Sequence, residues 1–380
     1  MNHVPGADAP LRILQVNSLF SGGGVDNQTL ELSRGLRELG HDVTLAVAAG
    51  SRWENRAREI GCLVETFPSK SALRWRLILC VAGLIRRQRP HLLHLHQGRD
   101  YWPGIIAAKL ALRGTRVVIT RHLISRPRGV SRHMLLRTAQ IVAVSRAVER
   151  VLRAELRGPA ARIHQVYCGI DVSRFQRTRT EASEALRAEL GWRPEQVVFG
   201  VVGMFEPPRG KGQFEFLEAA ARVAKEFPQA RFALVGQGGL RAELKASVAR
   251  LGLTDRLRFL GFRDEMPPVM GALDVLVHPN TGTEAFPLVV LEAFASGKPV
   301  IASDIDGIPE QVVPGENGFL VPRADVPALA AAMTKLAGDA PLRSRLGRNG
   351  RSLVEAKFTR ARLAENFVAL YRQVLAGGSA

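Results

Sequence analysis

The chain has 380 residues, of which 46% are hydrophobic and 23% are charged, a composition typical of a soluble globular protein of two domains. No apolar run reaches about 18 residues, and the first ten residues have neither a basic region nor an apolar core. The sequence therefore predicts no transmembrane helix and no secretory signal. Its three cysteines, Cys62, Cys80 and Cys168, match no disulfide or metal-ligand pattern, which fits a reducing cytoplasm.

The positive charge is concentrated in the first half of the chain. Residues 1–180 hold 29 Lys and Arg against 12 Asp and Glu, whereas residues 181–380 hold 24 against 23. This excess predicts a negatively charged partner, either an anionic membrane face or a nucleic acid. Aromatic residues make up only 6% and no nucleic-acid module is recognisable, so we expect the membrane and no nucleic acid. A basic surface without a partner is the alternative.

The chain from residue 12 to residue 175 alternates between strand-like apolar runs and helical patterns. This alternation predicts a parallel sheet covered by helices on both faces. The helical patterns include Gln28–Leu39 and Trp75–Arg87. The strand-like runs are Arg12–Val16, Val43–Val47, Leu92–Leu95, Val117–Thr120, Ile141–Val144 and Ile163–Tyr167.

A second alternating region follows a polar segment at residues 176–196, which we interpret as a linker and a surface helix. The sequence thus predicts two doubly wound α/β domains, residues 1–178 and 179–357, which bind ligands at the carboxyl ends of their strands. The last segment, Arg360–Leu375, has amphipathic helical spacing. The strand-like runs of the second region are Val197–Gly203, Arg231–Gly236, Leu257–Gly261, Asp274–Val277, Pro299–Ala302 and Gly318–Val321.

Three consecutive glycines, Gly22, Gly23 and Gly24, separate the first strand from the helix after it. Such a turn lets the backbone approach a ligand closely, and the helix N-terminus behind it favours an anion. The spacing differs from the G-x-G-x-x-G pattern of dinucleotide-binding domains. We interpret the turn either as a phosphate or sugar cradle or as a flexible surface turn.

Two cations, Arg209 and Lys211, occupy the corresponding turn of the second domain, and a glycine follows each of them. Arg offers a bidentate fork to phosphate and Lys offers a point charge, so both would stabilise a diphosphate leaving group. A solvated basic turn is the alternative. The next strand leads into another glycine turn, which begins at Gly236.

Two glutamates lie in the segment P-N-T-G-T-E-A-F-P-L-V-V-L-E-A-F-A-S-G-K-P at residues 279–299. Glu284 falls in a turn, and Glu292 falls in the apolar run Leu288–Ser296, whose following Gly and Pro indicate the end of a helix. Carboxylates beside a helix N-terminus, which favours anions, suit a ligand with both hydroxyls and phosphate, such as a sugar nucleotide. Two solvated glutamates on an ordinary helix are the alternative.

Three histidines lie at predicted strand ends. We interpret His94 and His96 as core residues with satisfied hydrogen bonds. His122 follows the run Val117–Thr120 closely and is expected to project into an active site. No third ligand accompanies His94 and His96, so no metal site is expected.

In their order along the chain, these segments resemble the retaining family 4 glycosyltransferases, which have the GT-B fold. The resemblance runs from Ile13 to Tyr371, and it rests on the order of the segments rather than on any one of them. The segments are G-G-G at 22–24, L-L-H-L-H at 92–96, V-V-I-T-R-H at 117–122, I-V-A-V-S at 141–145, V-Y-C-G-I-D-V-S-R-F at 166–175, R-G-K-G at 209–212, A-L-V-G-Q-G at 233–238, G-F at 261–262, E-A-F-P-L-V-V-L-E at 284–292, A-S-G-K-P-V-I-A-S at 295–303 and G-E-N-G-F-L-V at 315–321.

The resemblance implies a role for each site residue. Glu284 would hold the hydroxyls of the donor sugar, Glu292 would hold the ribose hydroxyls, and His122 would lie beside the sugar near the acceptor. The remaining residues would contact the sugar, diphosphate or base: Gly22, Gly23, Gly24, Arg209, Lys211, Gly236, Phe262, Arg263, Ala285, Phe286, Pro287 and Leu288.

The resemblance also implies that no metal or other cofactor is needed. Asp304 and Asp306 match the family's S-D-x-x-G-I-P-E stretch, so we do not interpret them as a metal site. The acceptor would attack the donor sugar on the face from which the phosphate leaves. The leaving phosphate would help to take the acceptor's proton. The last helix, within residues 358–380, would return to the first domain.

Three positions depart from the family pattern. Met204 stands where the family has Arg, and Lys211 lies seven residues later, so the loop is longer and Arg209 would replace the lost cation. Cys168 replaces an Asn before Gly-Ile-Asp, and Ala285 replaces the glycine of E-G-F.

We therefore expect an enzyme that transfers a sugar from a UDP- or GDP-sugar to a glycan or lipid-linked acceptor of cell-surface polysaccharide (lipopolysaccharide, capsule or exopolysaccharide). It would act in the cytoplasm, as a peripheral protein on the inner face of the plasma membrane. Residues 73–89 would form either an interfacial amphipathic helix or an ordinary sheet-covering helix. A sugar-nucleotide epimerase of the same fold and a basic nucleic-acid-binding protein are the alternatives.

Overall fold

The computed structural model describes residues 6, 9–19, 23–50, 54–67, 74–112, 114–125, 139–156, 162–176, 179–208 and 210–377. The chain forms two compact units, one made of Met1–Ile170 with Arg360–Ala380 and the other of Asp171–Thr359. The first division thus falls before Asp171 rather than after residue 178. The reason is that Phe175 is buried in the second unit, where its carbonyl accepts a hydrogen bond from Nη1 of Arg351 at 2.7 Å.

The first unit contains a parallel sheet of seven strands within the described residues. Leu92–Leu95 is buried at every position, as expected for a strand of a sheet that is covered on both faces. The strands are β1 (Arg12–Asn17), β2 (Asp42–Ala48), β3 (Leu63–Phe67), β4 (Leu92–Leu95), β5 (Arg116–Arg121), β6 (Gln140–Ala143) and β7 (Ile163–Gln165). Their order across the sheet is β3-β2-β1-β4-β5-β6-β7.

The helices of the first unit follow the pattern that the sequence predicts. The helix that begins at Arg146 follows Ser145, whose hydroxyl accepts a hydrogen bond from the backbone N–H of Val148 at 3.2 Å. The described helices are α1 (Gly24–Glu38), α2 (Glu54–Glu59), α3 (Arg74–Gln88), α4 (Tyr101–Ala111), α5 (Arg146–Glu155) and the C-terminal helix (Arg360–Ala376).

The C-terminal helix belongs to the core of the first unit. Its residues Leu363, Phe367 and Tyr371 are buried in one cluster with side chains of α1 and of the central strands. Gly35 of α1 permits the close approach, because a Cβ at this position would lie 2.8 Å from the Cβ of Ala364. The helix is therefore an integral part of this unit.

The second unit contains a parallel sheet of six strands, all of them within its described residues. The predicted runs Leu257–Gly261 and Gly318–Val321 coincide with strands, and the ends of the others differ by one residue. The strands are β8 (Val197–Val202), β9 (Ala230–Val235), β10 (Leu257–Gly261), β11 (Val275–His278), β12 (Val300–Ser303) and β13 (Gly318–Val321). Their order across the sheet is β10-β9-β8-β11-β12-β13.

Seven helices of the described residues surround this second sheet. Asp325 and Asp339 each precede a helix and accept a backbone N–H at its start, both at 2.8 Å, which is the usual role of Asp at this position. The helices are α6 (Glu181–Glu189), α7 (Gln213–Glu226), α8 (Arg241–Arg250), α9 (Met266–Ala272), α10 (Leu288–Ala295), α11 (Val326–Gly338) and α12 (Ala340–Lys357).

One strand was missed in the sequence. Strand β3 is an edge strand that pairs only with β2 among the described strands. Only Val64 and Phe67 of its five residues are buried, and Glu65 and Thr66 lie side by side between them. Such an edge strand lacks the continuous apolar run by which the buried strands were recognised.

Candidate active site

The candidate site of the second unit is centred on Glu284, in the loop between β11 and α10. The loop after β12 holds the backbone of this residue on both sides. The Glu284 N–H donates to Oδ2 of Asp306 at 2.9 Å, and the Glu284 carbonyl accepts from the N–H of Gly307 at 3.1 Å. Asp306 makes this contact with a φ of +48°, a conformation that non-glycine residues adopt only occasionally. The position of Glu284 is therefore set by a neighbouring loop.

One oxygen of the Glu284 side chain accepts two hydrogen bonds and has the His278 ring nearby. Oε2 accepts hydrogen bonds from Nζ of Lys211 at 2.8 Å and from Nδ2 of Asn280 at 2.9 Å. Nε2 of His278 lies 3.4 Å from the same oxygen. The other oxygen, Oε1, makes no hydrogen bond with any residue that the structure describes. The carboxylate is thus held through Oε2 alone.

These contacts determine the charge of Glu284. Burial alone would raise the pKa of the carboxyl, since only 16% of the side chain is exposed. The contacts with His278 and Lys211 outweigh burial and hold the pKa at about 2. Glu284 is therefore ionised at neutral pH, and both of its carboxylate oxygens can only accept hydrogen bonds.

Lys211 is presented by the loop between β8 and α7. Its backbone N–H donates to Oε1 of Gln213 at 2.6 Å, while Nε2 of Gln213 donates to the carbonyl of Met204 at 3.3 Å. Gly212 has a φ of +83°, and a Cβ there would lie 1.9 Å from the carbonyl oxygen of Pro279. The loop that carries Lys211 therefore touches the loop that carries Glu284. Arg209 lies outside the described residues.

The helix α10 begins directly after the loop of Glu284. Ala285, Phe286 and Pro287 are buried, and Leu288 is the first helical residue. Pro287 stands at the N-cap position, and no side chain of the described residues caps this helix start by a hydrogen bond. Glu292 lies half-buried in the second turn, as the sequence predicts. The site thus combines a helix N-terminus with two carboxylates.

The other predicted residues of the second unit lie at the carboxyl ends of β9 and β10. Gly236 donates its N–H to the carbonyl of Gly261 at 2.8 Å, and a Cβ at Gly236 would lie 2.0 Å from the carbonyl of Gly203. Phe262 is half-buried, and Nε of Arg263 donates to the carbonyl of Leu260 at 3.0 Å. These residues lie on the same side of the sheet as Lys211 and Glu284, because all of them follow the carboxyl ends of parallel strands.

The predicted glycine turn of the first unit is only partly described, because Gly22 lies outside the described residues. Gly23 and Gly24 stand at the start of α1. The Gly23 N–H donates to Oδ2 of Asp26 at 3.1 Å, and Nδ2 of Asn17 donates to the other oxygen of this carboxylate at 2.8 Å. The Gly23 amide is thus occupied by the protein in this structure.

His122 follows the last residue of β5. Burial and the charge of Arg121 lower the pKa of His122 to about 3, so its imidazole is neutral at physiological pH. Its Nε2 is buried and makes no hydrogen bond within the described part of the chain. His122 belongs to the first unit and Glu284 to the second.

His94 and His96 are core residues, as the sequence predicts, but Nδ1 of His96 has no hydrogen-bond partner among the described residues, so the expected hydrogen bonding is only partly met. The His94 ring lies 2.7 Å from the hydroxyl of Tyr371 and, at its other nitrogen, 2.7 Å from that of Thr120. Nε2 of His96 lies 2.7 Å from Oε1 of Gln15. Burial lowers the pKa of His94 to about 3 and that of His96 well below its usual value. Both rings are therefore neutral structural groups.

The sequence reasoning missed three residues around Glu284, namely His278, Asn280 and Asp306. His278 ends β11 and Asn280 follows two residues later, so their position at the carboxyl end of a strand could have indicated a site. Asp306 was recognised only as part of a family segment. Its contact with the Glu284 amide gave no sequence signal.

Among the described residues, no group of three or more His, Cys, Asp or Glu side chains is arranged to hold a metal ion. None of the helices formed by these residues has the length and apolar character that crossing a membrane requires.

Comparison with known proteins agrees with this architecture. The family profile "Glycosyltransferase Family 4" matches residues 22–174, and "Glycosyl transferases group 1" matches residues 182–353. The phosphatidyl-myo-inositol mannosyltransferase of Mycobacterium tuberculosis is 30% identical over 328 residues, which cover 82% of this chain and 81% of that enzyme. Alpha-D-kanosaminyltransferase of Streptomyces kanamyceticus is 28% identical over 246 residues, 64% of this chain, and the match spans less than two thirds of that enzyme, 62%.

A solved structure shows the same fold over the whole length. The crystal structure of Anabaena Alr3699/HepE in complex with UDP has a TM-score of 0.82 and 25% identity, covering 96% of this chain and 100% of that one. The family assignment decides against the epimerase and the nucleic-acid-binding alternatives. The chain belongs to glycosyltransferase family 4 and is a glycosyltransferase with the GT-B fold.

Proposed function

We propose that this glycosyltransferase moves a sugar from a UDP- or GDP-sugar to a glycan or lipid-linked acceptor, with retention of anomeric configuration and without a metal. The product would belong to cell-surface polysaccharide such as lipopolysaccharide, capsule or exopolysaccharide. The observation that carries the donor assignment is the ionised Glu284, which keeps one oxygen unoccupied beside Lys211 and the start of α10. A carboxylate beside two groups that attract phosphate suits a sugar diphosphate.

In this proposal, different residues bind the sugar, the ribose and the diphosphate of the donor. Oε1 of Glu284 accepts hydrogen bonds from the sugar hydroxyls, and Glu292 accepts those of the ribose. Lys211 and the first N–H groups of α10 meet the diphosphate, with Arg209 as a second cation in the same loop. The bond between the anomeric carbon and the phosphate oxygen breaks as the acceptor oxygen bonds to the same face of that carbon. The acceptor proton passes to the departing phosphate.

The proposed reaction needs no metal because fixed protein groups stabilise the negative charge that develops on the leaving diphosphate. A Lys side chain and the positive end of a helix dipole both stabilise such charge in a partly buried site. Adding a chelator should then leave turnover unchanged, whereas a metal-dependent transferase would lose its activity.

The acceptor side is proposed from the charge of the first unit and from the relatives. The mycobacterial relative is named for a lipid, phosphatidyl-myo-inositol. On α3, Trp75 and Leu79 are 52% and 58% exposed, and Arg86 and Arg87 lie on the last turn of the same helix. Exposed apolar side chains with basic neighbours favour an anionic membrane surface. We therefore propose peripheral binding to the inner face of the plasma membrane.

The donor is tested with a panel of UDP- and GDP-sugars, read by thermal shift and by hydrolysis or transfer. Glu284→Ala should lower turnover at least about 100-fold, as loss of a group that orients the reacting centre does. Glu292→Ala should instead weaken nucleotide binding about 10- to 100-fold, the value of lost hydrogen bonds to a charged group. Equal binding losses in both variants, with turnover intact, would contradict this division.

Membrane binding is tested separately with vesicles that contain anionic lipid and with duplex DNA, each at two salt concentrations. We expect binding to the vesicles that weakens with salt. Tight binding to DNA alone would contradict the proposed partner. If no sugar nucleotide of the panel stabilised the protein or was turned over, the proposed donor class would be wrong.

A further inference from the structure

His278 is a buried imidazole without a hydrogen bond. It ends β11, only 2% of the residue is exposed, and neither ring nitrogen has a hydrogen-bond partner within the described residues. Its Nε2 lies 3.4 Å from Oε2 of Glu284. This separation exceeds the usual N–H···O range of about 2.7–3.2 Å by a few tenths of an ångström. The ring is thus close to, but not within, hydrogen-bond distance of this oxygen.

An unpartnered imidazole at this position has a physical cost. Leaving a buried polar group unsatisfied destabilises a protein by about 1–3 kcal/mol, and the great majority of buried polar groups have a partner. The preceding residues of β11, Val275, Leu276 and Val277, are all buried apolar side chains, and another one could end the strand without this cost. The imidazole therefore calls for a partner that it gains in another state of the site.

Glu284 is the nearest acceptor for this ring, and Lys211, which bonds to its Oε2, is one of the groups assigned above to the diphosphate. Lys211 is the closest donor to Oε2, at 2.8 Å. In the function proposed above, on which this inference rests, Lys211 turns toward the diphosphate. Oε2 then keeps Asn280, at 2.9 Å, and has room for a shorter contact with His278.

We propose that His278 is a positioning residue that donates a hydrogen bond from Nε2 to Oε2 of Glu284 when the donor occupies the site. In this role it does not touch the sugar. It replaces the hydrogen bond that Lys211 gives up, and so keeps the carboxylate in the orientation that directs Oε1 to the sugar hydroxyls. The imidazole needs only the tautomer that carries its proton on Nε2.

The test compares two substitutions of His278 with a control. His278→Phe keeps a ring of similar volume and removes the donor. His278→Gln places an amide Nε2 as many bonds from Cβ as the imidazole Nε2 and restores the donor. The control is His164→Phe, which removes an imidazole that lies 2.9 Å from Oε1 of Gln140 in the first unit.

The measurements are kcat, the donor KM and the Kd of UDP or GDP alone, with the donor from the panel that the wild type uses best. We expect His278→Phe to lower kcat about 10- to 100-fold, the value of a hydrogen bond to a charged group, with the nucleotide Kd within about threefold of the wild type. His278→Gln should recover most of kcat, and His164→Phe should leave it unchanged. The unchanged Kd also reports that the second unit has folded.

Combination with Glu284→Gln decides whether His278 acts through Glu284. In that background His278→Phe should lower the residual activity no further, since a positioning residue has no effect once its target is lost. A wild-type kcat in His278→Phe, equal losses in the Phe and Gln variants, or full additivity with Glu284→Gln would each overturn the inference while leaving the proposed function intact. Absence of turnover in the wild type with every sugar nucleotide would remove the proposed function and this inference together.

Discussion

Substitution of Gly212 tests whether the contact between the Lys211 loop and the Glu284 loop holds the donor site together. Gly212 has a φ of +83°, and a Cβ there would lie 1.9 Å from the carbonyl oxygen of Pro279, far below the 3.0 Å that real Cβ contacts respect. Alanine would therefore displace the Pro279 carbonyl by about 1 Å. Because Lys211 precedes this glycine and Asn280 follows Pro279, the displacement would separate groups that meet at Glu284.

The expected magnitude has two parts. A non-glycine residue in the left-handed region costs roughly 1–2 kcal/mol, and forcing an extra methyl into a packed site costs roughly 1–3 kcal/mol more. Gly252 is a matched control in the same unit, because its φ is +68° and a Cβ there would meet nothing within 4 Å. Gly252→Ala should therefore lower the free energy of unfolding only by the roughly 1–2 kcal/mol of the left-handed conformation. Gly212→Ala should lower the free energy of unfolding by about 2–5 kcal/mol.

The assay is urea unfolding followed by tryptophan fluorescence, to which the buried Trp192 of the second unit contributes. The Kd of UDP and GDP is measured on both variants in parallel. We expect weaker nucleotide binding in Gly212→Ala and wild-type binding in Gly252→Ala. Equal losses of stability in the two variants, together with unchanged nucleotide binding, would refute the argument that backbone contact at Pro279 sets the loop geometry.

Two more predictions concern other contacts. Asp306→Gly relieves the φ of +48° but removes the acceptor of the Glu284 N–H, so kcat should fall about tenfold. Asp306→Asn should retain most of kcat, because its amide oxygen can accept the same hydrogen bond. An unchanged kcat in Asp306→Gly would contradict this role. The pKa of His94 is lowered to about 3 in the folded protein, so as the pH drops below about 6.5 the unfolded chain takes up this proton before the folded one does. The free energy of unfolding should therefore decrease as the pH is lowered from about 6.5 to 3, by up to about 1.4 kcal/mol per pH unit. Asp100, whose pKa is raised to about 6, opposes this trend below about pH 6. The contribution of His94 would be identified by a urea midpoint that depends less steeply on pH in His94→Gln than in the wild type.

Most of the fold could be predicted because strands of a parallel sheet are buried on both faces. Leu92–Leu95 and Gly318–Val321 are short runs between polar turns, and the structure has strands with those bounds. Strand β3 was missed because an edge strand with Glu65 lacks such a run. The division before Asp171 was missed because it depends on a tertiary contact of Phe175, to which the polar sequence around it gives no clue.

The site was predicted less completely than the fold. The sequence singled out Glu284 and Lys211, but their contact joins residues 73 positions apart, and no local pattern encodes it. The predicted strand ended at Val277, one residue too early, so His278 was not recognised at the strand end. Asp306 was missed because its side chain accepts the Glu284 N–H across 22 residues of sequence, and no local pattern encodes that contact.

The position of the C-terminal helix in the first unit has a consequence for synthesis on the ribosome. Residues 1–170 leave the ribosome first, but the core of their unit lacks Phe367 and Tyr371 until the whole second unit has emerged. The second unit is continuous in sequence and can complete its own core earlier. Nascent chains thus expose the apolar side of α1 for most of translation, which is the stage at which chaperones bind. The domain that is made first is therefore expected to mature last.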